Sequence, residues 1–297
     1  MGRLTGASQR VHPGNAYLIV GGGGYVQRDL LSSVLVSSNM LAMRVISWNI
    51  AGWTRRSSGQ AESLKAHNPD IVGLQEVTDG SWNVLREELI SSGLIYAIYS
   101  REIISECRKK KAVAVFSRWP LTILDRFIDV PYPELALSML IHTPYGGIQF
   151  HCVHIPNGGS HGWEKIDSFE AVHSKLAQLS KLPRILCGDF NSPKEELDNG
   201  DIIPWSRPSL RWSQGELSVI SGLSEYDLPD IYRQLNGYPP KDFSWYWRDI
   251  GRRFDHIFAS KKLNPVECQY VHEWRIEKLS DHSAIEAVFN PSPDKQL

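Results

Sequence analysis

Short apolar runs alternate with polar or turn residues along the chain from residue 43 onward. Runs rich in branched and aromatic side chains, bounded by Gly, Pro or charged residues, are typical of β-strands. We identify nine such runs: "RVISW", "DIVGLQ", "AVAVFS", "LTILDRFI", "LALSMLIH", "IQFHCVHI", "RILCG", "RFDHIFAS" and "SAIEAVF". The third to sixth runs follow one another with only Pro or Gly turns between them, which indicates antiparallel neighbours.

Three segments have helical character instead. Residues 60–66 have helical potential between the first two strands, and residues 81–90 form the second segment. Its apolar face consists of Trp82, Leu85 and Leu89. The clearest helix is predicted over residues 163–179, because apolar residues recur there at helical spacing. That stripe consists of Ile166, Phe169, Val172, Leu176 and Leu179.

This order of elements predicts the fold class. Many strands in runs, with few helices between them, do not fit a purely parallel sheet. We therefore predict an α/β fold in which two mixed β-sheets pack face to face, with helices on the outer sides. Residues 198–242 contain several prolines and tryptophans and are predicted to be a long irregular stretch. No internal repeat is visible at the periods of solenoid proteins.

The two ends of the chain are predicted to lie outside the folded domain. Residues 1–42 lack the period of a packed element, and their "GGGGYV" is not a phosphate loop because no Gly-Lys-Ser/Thr follows. We predict a disordered extension over 1–42, a folded domain over 43–291 and a tail over 292–297. A translation start at Met40 or Met43 is an alternative explanation of the extension.

Composition and charge narrow the class of protein. Apolar residues make up 42% and charged residues 22% of the 297 residues, with a formal net charge of -1. These values are ordinary for a soluble globular protein. They exclude a global basic field that would hold nucleic acid without specificity, but leave a local groove possible. No apolar stretch approaches the length that crosses a membrane. We also expect the protein to be a monomer.

The cysteines predict a reducing compartment. The chain has four of them and no Cys-x-x-Cys pair, and Cys152 and Cys187 lie inside apolar runs. Core thiols of this kind favour a cytoplasmic location. The alternative is an organelle transit peptide, which Arg3, Arg10 and Arg28 suggest because no acidic residue precedes Asp29.

Polar residues end or interrupt the apolar runs, and all of them carry carboxylate, amide or imidazole groups. The set consists of Asn49, Glu76, His154, Asn157, Asp189, Asn191, Asp255, Asp281 and His282. Asp189 and Asn191 are two apart, so they share a face if the strand geometry continues that far. Oxygen ligands without thiolates suit Mg²⁺, Mn²⁺ or Ca²⁺ better than Zn²⁺. Taken singly, the asparagines are equally typical of turns.

Six motifs resemble, in order and spacing, those of the endonuclease/exonuclease/phosphatase family of metal-dependent phosphoesterases. They are "SWNIAG", "IVGLQEV", "HIPNGG", "CGDFNS", "RRFDHIF" and "SDHSA", and they span residues 45–289. The resemblance implies a four-layer α/β sandwich with its site at one edge of the two central sheets. It also implies hydrolysis of a phosphoester with Mg²⁺, for which Mn²⁺ substitutes.

The resemblance also implies a role for each motif residue. Asp189 would deprotonate the attacking water, and Asn191 would fix its position. His282 would stabilise the transition state, with Asp255 orienting its ring. The phosphate-binding set would be His154, Asn157 and Arg253, with His154 also counted as catalytic. The metal-binding set would be Glu76, Asn49 and Asp281.

The identity of the phosphoester is a separate question. A nuclease acting on nucleic acid is the leading hypothesis, although Ala51 and Arg252 depart from the pattern of abasic-site endonucleases. The alternatives are a phosphatase or phosphodiesterase for an inositol phosphate or lipid-linked ester, and a non-catalytic binding module with the same fold. Trp245, Trp247 and Arg252 are candidates to line a substrate cleft, with core packing as the alternative. Residues 108–111, "RKKK", are predicted to be a solvated loop, with a phosphate-binding rim as the alternative.

Overall fold

The computed structural model describes residues 19–20, 24–25, 42–124, 130–205, 209–239 and 241–292. Within these residues the chain forms seventeen strands. They are β1 (Ile19–Val20), β2 (Gly24–Tyr25), β3 (Met43–Asn49), β4 (Ile71–Val77), β5 (Tyr96–Tyr99), β6 (Ala112–Ser117), β7 (Leu121–Ile123), β8 (Ala136–Thr143), β9 (Gly146–His154), β10 (Arg184–Asp189), β11 (Glu195–Glu196), β12 (Ile202–Ile203), β13 (Trp245–Trp247), β14 (Ile250–Arg252), β15 (Asp255–Ala259), β16 (Pro265–Val271) and β17 (Ala284–Phe289).

Eight α-helices lie in the same described ranges. They are α1 (Ser57–His67), α2 (Asp79–Ser91), α3 (Ser100–Ile103), α4 (Gly158–His161), α5 (Glu164–Leu176), α6 (Leu210–Ile220), α7 (Ile231–Asn236) and α8 (Glu273–Ile276). Short 3₁₀ turns cover Thr54–Arg56, Pro133–Leu135, Gly222–Tyr226 and Lys261–Leu263. The two helices predicted over residues 60–66 and 81–90 are present as the longer α1 and α2. In α2 the Thr78 side chain accepts a hydrogen bond from the Ser81 N–H, which caps the helix.

Two large mixed sheets form the centre of the molecule. One has the order β16-β17-β3-β4-β6-β5, and the other has the order β15-β10-β9-β8-β7. In each sheet one central pair is parallel, β3 with β4 and β9 with β10, and the other pairs are antiparallel. The runs from "AVAVFS" to "IQFHCVHI" contribute β6 to β9, and they are divided between the sheets. Of these four strands, β7, β8 and β9 pair in consecutive order, but β6 does not pair with β7, so that part of the predicted antiparallel series is wrong.

Alternation along the strands builds three buried apolar clusters. The first lies between the sheets and includes Val45, Val115, Phe150 and Ile257. The second covers the outer face of the six-stranded sheet and includes Trp48 with Leu64 of α1 and Leu85 of α2. The third covers the outer face of the five-stranded sheet and includes Leu186 with Phe169 of α5 and Val219 of α6. Helices, two sheets and helices therefore form four layers, which confirms the predicted α/β sandwich.

Two details of the predicted elements are wrong. The helix predicted over residues 163–179 ends at Leu176, and Leu179 is 80% exposed instead of completing the apolar stripe. The stretch predicted to be irregular, residues 198–242, contains α6 and α7 and a 3₁₀ turn. Its helical signal is weak because α7 is a single short helix and α6 includes Gly215 and an exposed Leu210.

The predicted extension, residues 1–42, and the predicted tail, residues 292–297, lie almost wholly outside the described residues. Ile19–Val20 and Gly24–Tyr25 are described there as a small antiparallel pair. Residues 125–129, the end of the "LTILDRFI" run, also lie outside. All four cysteines are free thiols, and no helix among the described residues is both long enough and apolar enough to span a membrane.

Candidate active site

The predicted site residues come together at one edge shared by both sheets. Because β9 and β10 are parallel, their last residues, His154 and Asp189, are direct neighbours in register. Antiparallel β15 begins at Asp255, which is paired with Asp189 from the other side. Asn49, the last residue of β3, donates from Nδ2 to Asp189 Oδ2 at 2.9 Å and so links the six-stranded sheet to the five-stranded one.

Asp189 Oδ2 is the atom on which the site converges. In addition to the bond from Asn49, it lies 3.7 Å from His154 Nε2 and 3.8 Å from His282 Nε2. Asp189 Oδ1 accepts a hydrogen bond from the backbone N–H of Asn191 at 2.9 Å. Asp189 is 2% exposed, so a buried carboxylate is surrounded by an amide and two imidazoles.

Asp255 and His282 form a buried ion pair beside it. His282 Nδ1 donates to Asp255 Oδ2 at 2.8 Å, and its Nε2 is thereby turned toward Asp189. Burial by itself lowers the pKa of His282, but the carboxylates of Asp255 and Asp189 outweigh it and raise that pKa to about 10. His282 is therefore an imidazolium at neutral pH, and it directs a charged N–H donor into the site.

At Asp189 the effects that raise the pKa of the carboxyl outweigh the effects that lower it. Burial raises the pKa of its carboxyl, and the nearby charge of Asp255 adds to this effect. The positive charges of His282 and His154 and the backbone bond from Asn191 offset only part of it. A carboxylate whose pKa is raised toward the working pH is a better general base than an ordinary one.

Glu76 is placed at the site by an irregularity in its strand. The pairing of β4 with β6 shifts register between Leu74 and Val77, and Glu76 has a left-handed φ of 58°. Non-glycine residues in this region are uncommon and cluster at functional sites. The bulge turns Glu76 so that Oε1 lies 3.9 Å from His154 Nε2.

Asn191 and Asn157 form the rim of the site next to His154. Asn191 has a φ of 50°, which asparagine tolerates better than most residues, and its Nδ2 donates to the Ile155 carbonyl at 3.0 Å. Asn157 Nδ2 is 3.5 Å from Asn191 Oδ1. Its own Oδ1 caps the short helix α4 by accepting from the Gly159 N–H at 2.7 Å, so Asn157 has the turn role as well.

Two lysines reach the site that the sequence reasoning did not assign to it. Lys111 forms an ion pair with Glu76 Oε2, and it belongs to residues 108–111, for which the sequence predicts a solvated loop with a phosphate-binding rim as the alternative. Lys165, 2% exposed, donates to the Asn191 carbonyl at 2.8 Å and pairs with Glu216 at 2.8 Å. A lysine on the apolar face of α5, four residues before Phe169, was the available signal for Lys165.

Burial raises the pKa of Glu76, but positive charge outweighs it. His154 and Lys111 together lower the pKa of this carboxyl below its ordinary value. Glu76 is therefore ionised at neutral pH. A carboxylate held in this state has the charge that a divalent cation requires of a ligand.

Arg253 and Asp281 differ from the other predicted site residues in their surroundings. Arg253 is 3% exposed, and its guanidinium is bound by Glu196 at 2.5 and 2.7 Å and by Asp230 at 2.8 Å. These bonds hold the guanidinium in a buried ion-pair network, and its predicted contact with phosphate stays a prediction. Asp281 is exposed and lines a cleft next to His282.

The donor set fits a hard divalent cation. Within the described residues, Asp189, Asp255 and His282 each offer one ligand atom within 4.8 Å of the others, and neither Glu76 nor Asp281 belongs to that group. Asp255 Oδ1 is a buried oxygen without a hydrogen-bond partner in the described part of the chain. Carboxylate and amide oxygens, with no thiolate, are the ligands that Mg²⁺ and Mn²⁺ prefer.

Comparison with known proteins gives one family and several relatives. The model of the Endonuclease/Exonuclease/phosphatase family matches residues 46–282. The chain is 25% identical over 279 residues to a DNA-(apurinic or apyrimidinic site) endonuclease of Dictyostelium discoideum, covering 88% of this chain and 73% of that protein. It is 25% identical over 272 residues to exodeoxyribonuclease III of Haemophilus influenzae, covering 83% and 100%.

A solved structure agrees with the fold. The structure of an AP endonuclease from Archaeoglobus fulgidus superimposes with a TM-score of 0.66 at 18% identity, covering 84% of this chain and 99% of that one. At this level of identity the likeness concerns the arrangement of the layers alone.

Proposed function

Because the chain belongs to the endonuclease/exonuclease/phosphatase family, we propose that it is a metal-dependent nuclease that hydrolyses phosphodiester bonds. The observation that carries this proposal is the convergence of His154, His282 and Asn49 on Asp189 Oδ2. A buried carboxylate with two imidazoles around it has the parts that attack by water on a phosphoryl group needs. The nuclease names of the relatives support nucleic acid as the substrate.

The phosphate is bound on the side of His154 and Asn157. His154 Nε2 faces both carboxylates, so a protonated His154 presents a positive N–H to a phosphate that enters between them. Asn157 Nδ2 is a weakly engaged donor at the rim, 3.5 Å from Asn191. Charge-assisted donors of this kind favour an anionic substrate over a neutral one.

Asp189 takes the proton from the attacking water. Its raised pKa suits a general base, and Asn191 positions the water because its amide lies 3.5 Å from Asp189 Oδ2. His282 then donates a hydrogen bond from Nε2 to the phosphoryl oxygen that gains charge, and Asp255 keeps the ring aimed. Phosphoryl transfer depends chiefly on such positioning and charge stabilisation.

Glu76, Asn49 and Asp281 would hold Mg²⁺, with Mn²⁺ as a substitute. When bound, the cation neutralises phosphate oxygens and the charge of the leaving oxygen. Asn49 belongs to this group because it lies opposite Gln75, the residue before Glu76, on the paired strand. The bulge at Glu76 and the exposure of Asp281 leave both carboxylates accessible from solvent.

The test compares the wild type with Asp189→Asn in Mg²⁺, Mn²⁺ and EDTA. The substrates are supercoiled plasmid, single-stranded DNA, RNA, a duplex with one abasic site, and a panel of inositol phosphates. Metal-dependent cleavage of a polynucleotide that Asp189→Asn abolishes is the expected result. Release of phosphate from the inositol panel alone would make the protein a phosphatase, and inactivity on every substrate would favour a binding module.

A further inference from the structure

A cleft of about 680 Å³ opens beside the proposed catalytic centre. Its volume lies within the range of roughly 300–1,000 Å³ that is usual for ligand pockets. The residues that line it are Trp53, Thr54, Arg55, Arg56, Tyr246, Arg275, Lys278, Ser280 and Asp281. They come from the turn after β3, strand β13 and the segment before β17, which are distant in sequence.

The cleft adjoins the site through Ser280 and Asp281, which precede His282. Ser280 donates from Oγ to the Asn49 carbonyl at 2.6 Å and accepts at Oγ from the His282 N–H at 3.1 Å. The backbone of Trp245 is bridged to His282. The backbones of Asn49 and His282, two residues of the site, therefore support the floor of the cleft. One extended ligand could occupy the site and the cleft together.

Positive charge is concentrated in the cleft. Arg55, Arg56, Arg275 and Lys278 line it, and Asp281 is the carboxylate among the lining residues. The whole chain has a formal net charge of -1, so this excess of cations is local. A cleft of one sign raises the local concentration of an oppositely charged ligand.

Two exposed aromatic rings stand among these cations. Trp53 is 41% exposed and Tyr246 is 40% exposed. The Arg275 guanidinium lies 4.5 Å from the centre of the Tyr246 ring, and its Nε donates to Ser283 Oγ at 3.0 Å. Arg275 is thus held against Tyr246 in a fixed position, and Phe243 contacts the same ring edge-to-face with centroids 5.9 Å apart.

We propose that this cleft binds a single-stranded segment of the polynucleotide next to the scissile phosphate. One unpaired base stacks on Trp53 or Tyr246, and the flanking phosphates pair with Arg275 and Lys278. Stacking platforms interleaved with cations are the usual means of binding single strands, since only unpaired bases expose their faces. The inference rests on the proposed function for its substrate class, but it is measured by binding and not by turnover.

The stacking residues differ from those expected from the sequence. Trp245 is only partly exposed. Its ring stacks on Phe254 with ring centres 5.4 Å apart, so that face of the ring is covered by the protein. Tyr246 is its neighbour on β13 and points to the other side of the two-stranded ribbon. Arg252 lines a separate pocket.

The experiment measures binding of a fluorescein-labelled twelve-residue oligothymidylate by fluorescence anisotropy in EDTA, where metal-dependent cleavage does not occur. Trp53→Ala and Tyr246→Ala are each expected to raise Kd about ten-fold. Trp163→Ala is the matched control, because Trp163 is 45% exposed and has Arg211 5.2 Å from its ring but lies on the outer helix layer. Thermal melting of each variant checks that it is folded.

The charge contribution is tested separately. Lys278→Gln is expected to weaken binding and to reduce the salt slope by about 0.7, the value for one phosphate on a single strand. Lys181→Gln is the control, since exposed Lys181 precedes β10 at the end of the sheet opposite Asp189. An unchanged Kd in Trp53→Ala and Tyr246→Ala would overturn the proposal, as would tighter binding of the matched duplex.

The proposed function can fail while the cleft proposal stands. Hydrolysis of the small diester bis(p-nitrophenyl) phosphate by the wild type reports the catalytic centre without using the cleft. If the wild type hydrolyses no substrate but its oligonucleotide binding depends on Trp53 and Tyr246, the nuclease function is overturned and the cleft is supported. If hydrolysis occurs and the variants bind the oligonucleotide normally, the cleft proposal alone is wrong.

Discussion

Lys111 forms an ion pair with Glu76 Oε2 at the bulge that places Glu76 in the site. The ammonium reaches this position across Gly52, where an added Cβ would lie 2.9 Å from Lys111 Cε. Glu134 holds the preceding part of the loop by accepting from the backbone N–H groups of Arg108 and Lys109. A positive charge is therefore positioned on the carboxylate that we propose as a metal ligand.

The first prediction is that Lys111 competes with the divalent cation for Glu76. Lys111→Met is expected to tighten Mn²⁺ binding about five-fold, since an exposed ion pair contributes up to about 1 kcal/mol. Calorimetric titration with Mn²⁺ measures the change. Lys110→Met is the control because Lys110 is exposed in the same loop. Equal Mn²⁺ affinity in wild type and Lys111→Met would show that the pair does not oppose the metal.

The second prediction concerns the ion pair of Asp255 with His282. Asp255→Asn removes the carboxylate that holds the imidazolium in place, and we expect kcat to fall by about 10²–10⁴ with little change in KM. The matched control is Asp242→Asn, because Asp242 accepts from His272 Nε2 at 2.5 Å in a similar pair. A kcat loss of equal size in both variants would mean that the effect is structural.

The third prediction concerns the glycine that precedes Asp189. Gly188 has a φ of +151°, and a Cβ there would lie 1.9 Å from the Val153 carbonyl oxygen on the neighbouring strand. Gly188→Ala is expected to lower the free energy of unfolding by at least about 3 kcal/mol, since backbone must move. Urea unfolding checks this against Gly222→Ala, whose Cβ would meet only the Leu217 carbonyl at 3.4 Å. Similar midpoints for the two variants would refute the clash.

Nine of the eleven strands in the two large sheets could be predicted from the sequence because each is a short branched run with a clear boundary, whereas β5 and β16 were not among the predicted runs. The Asp189 motif was identified for the same reason: a charge directly after "RILCG" is a sharp break in the pattern. Which strand belongs to which of the two sheets depends on pairing between residues that are distant in sequence. No local sequence pattern determines that pairing. The register shift that turns Glu76 into the site is likewise a property of the pairing between β4 and β6.

Two charged residues have surroundings that the sequence did not indicate, and both depend on tertiary contacts. Arg253 stands in a motif whose family role suggested phosphate, yet Glu196 and Asp230 neutralise it from 57 and 23 residues away. Lys111 looked like one more solvated lysine because its partner, Glu76, is 35 residues distant. A sequence gives the charge of a side chain, but its partner depends on the completed fold.

The fourth prediction tests that buried network through Glu196, which is 8% exposed. Its carboxylate accepts from Arg253 Nη2 at 2.5 Å and from Arg233 Nη2 at 2.6 Å. Removing one partner of a buried pair leaves uncompensated charge, so Glu196→Gln is expected to cost about 3–5 kcal/mol of unfolding free energy at pH 7. Glu195→Gln is the control, because Glu195 is the exposed neighbour on the same short strand.

The fifth prediction is the pH dependence of that cost. Burial by itself raises the pKa of Glu196, but Arg253 and Arg233 outweigh it and lower the pKa to about 2, from the model-compound value of 4.5. A carboxyl with a lowered folded pKa contributes stability above its unfolded pKa and loses it as the pH falls toward the folded one. The difference in unfolding free energy between wild type and Glu196→Gln should therefore be constant above pH 4.5 and shrink steadily toward pH 2. Urea unfolding at several pH values measures it, and a difference that does not change across this window would exclude Glu196 as an ionised member of the network.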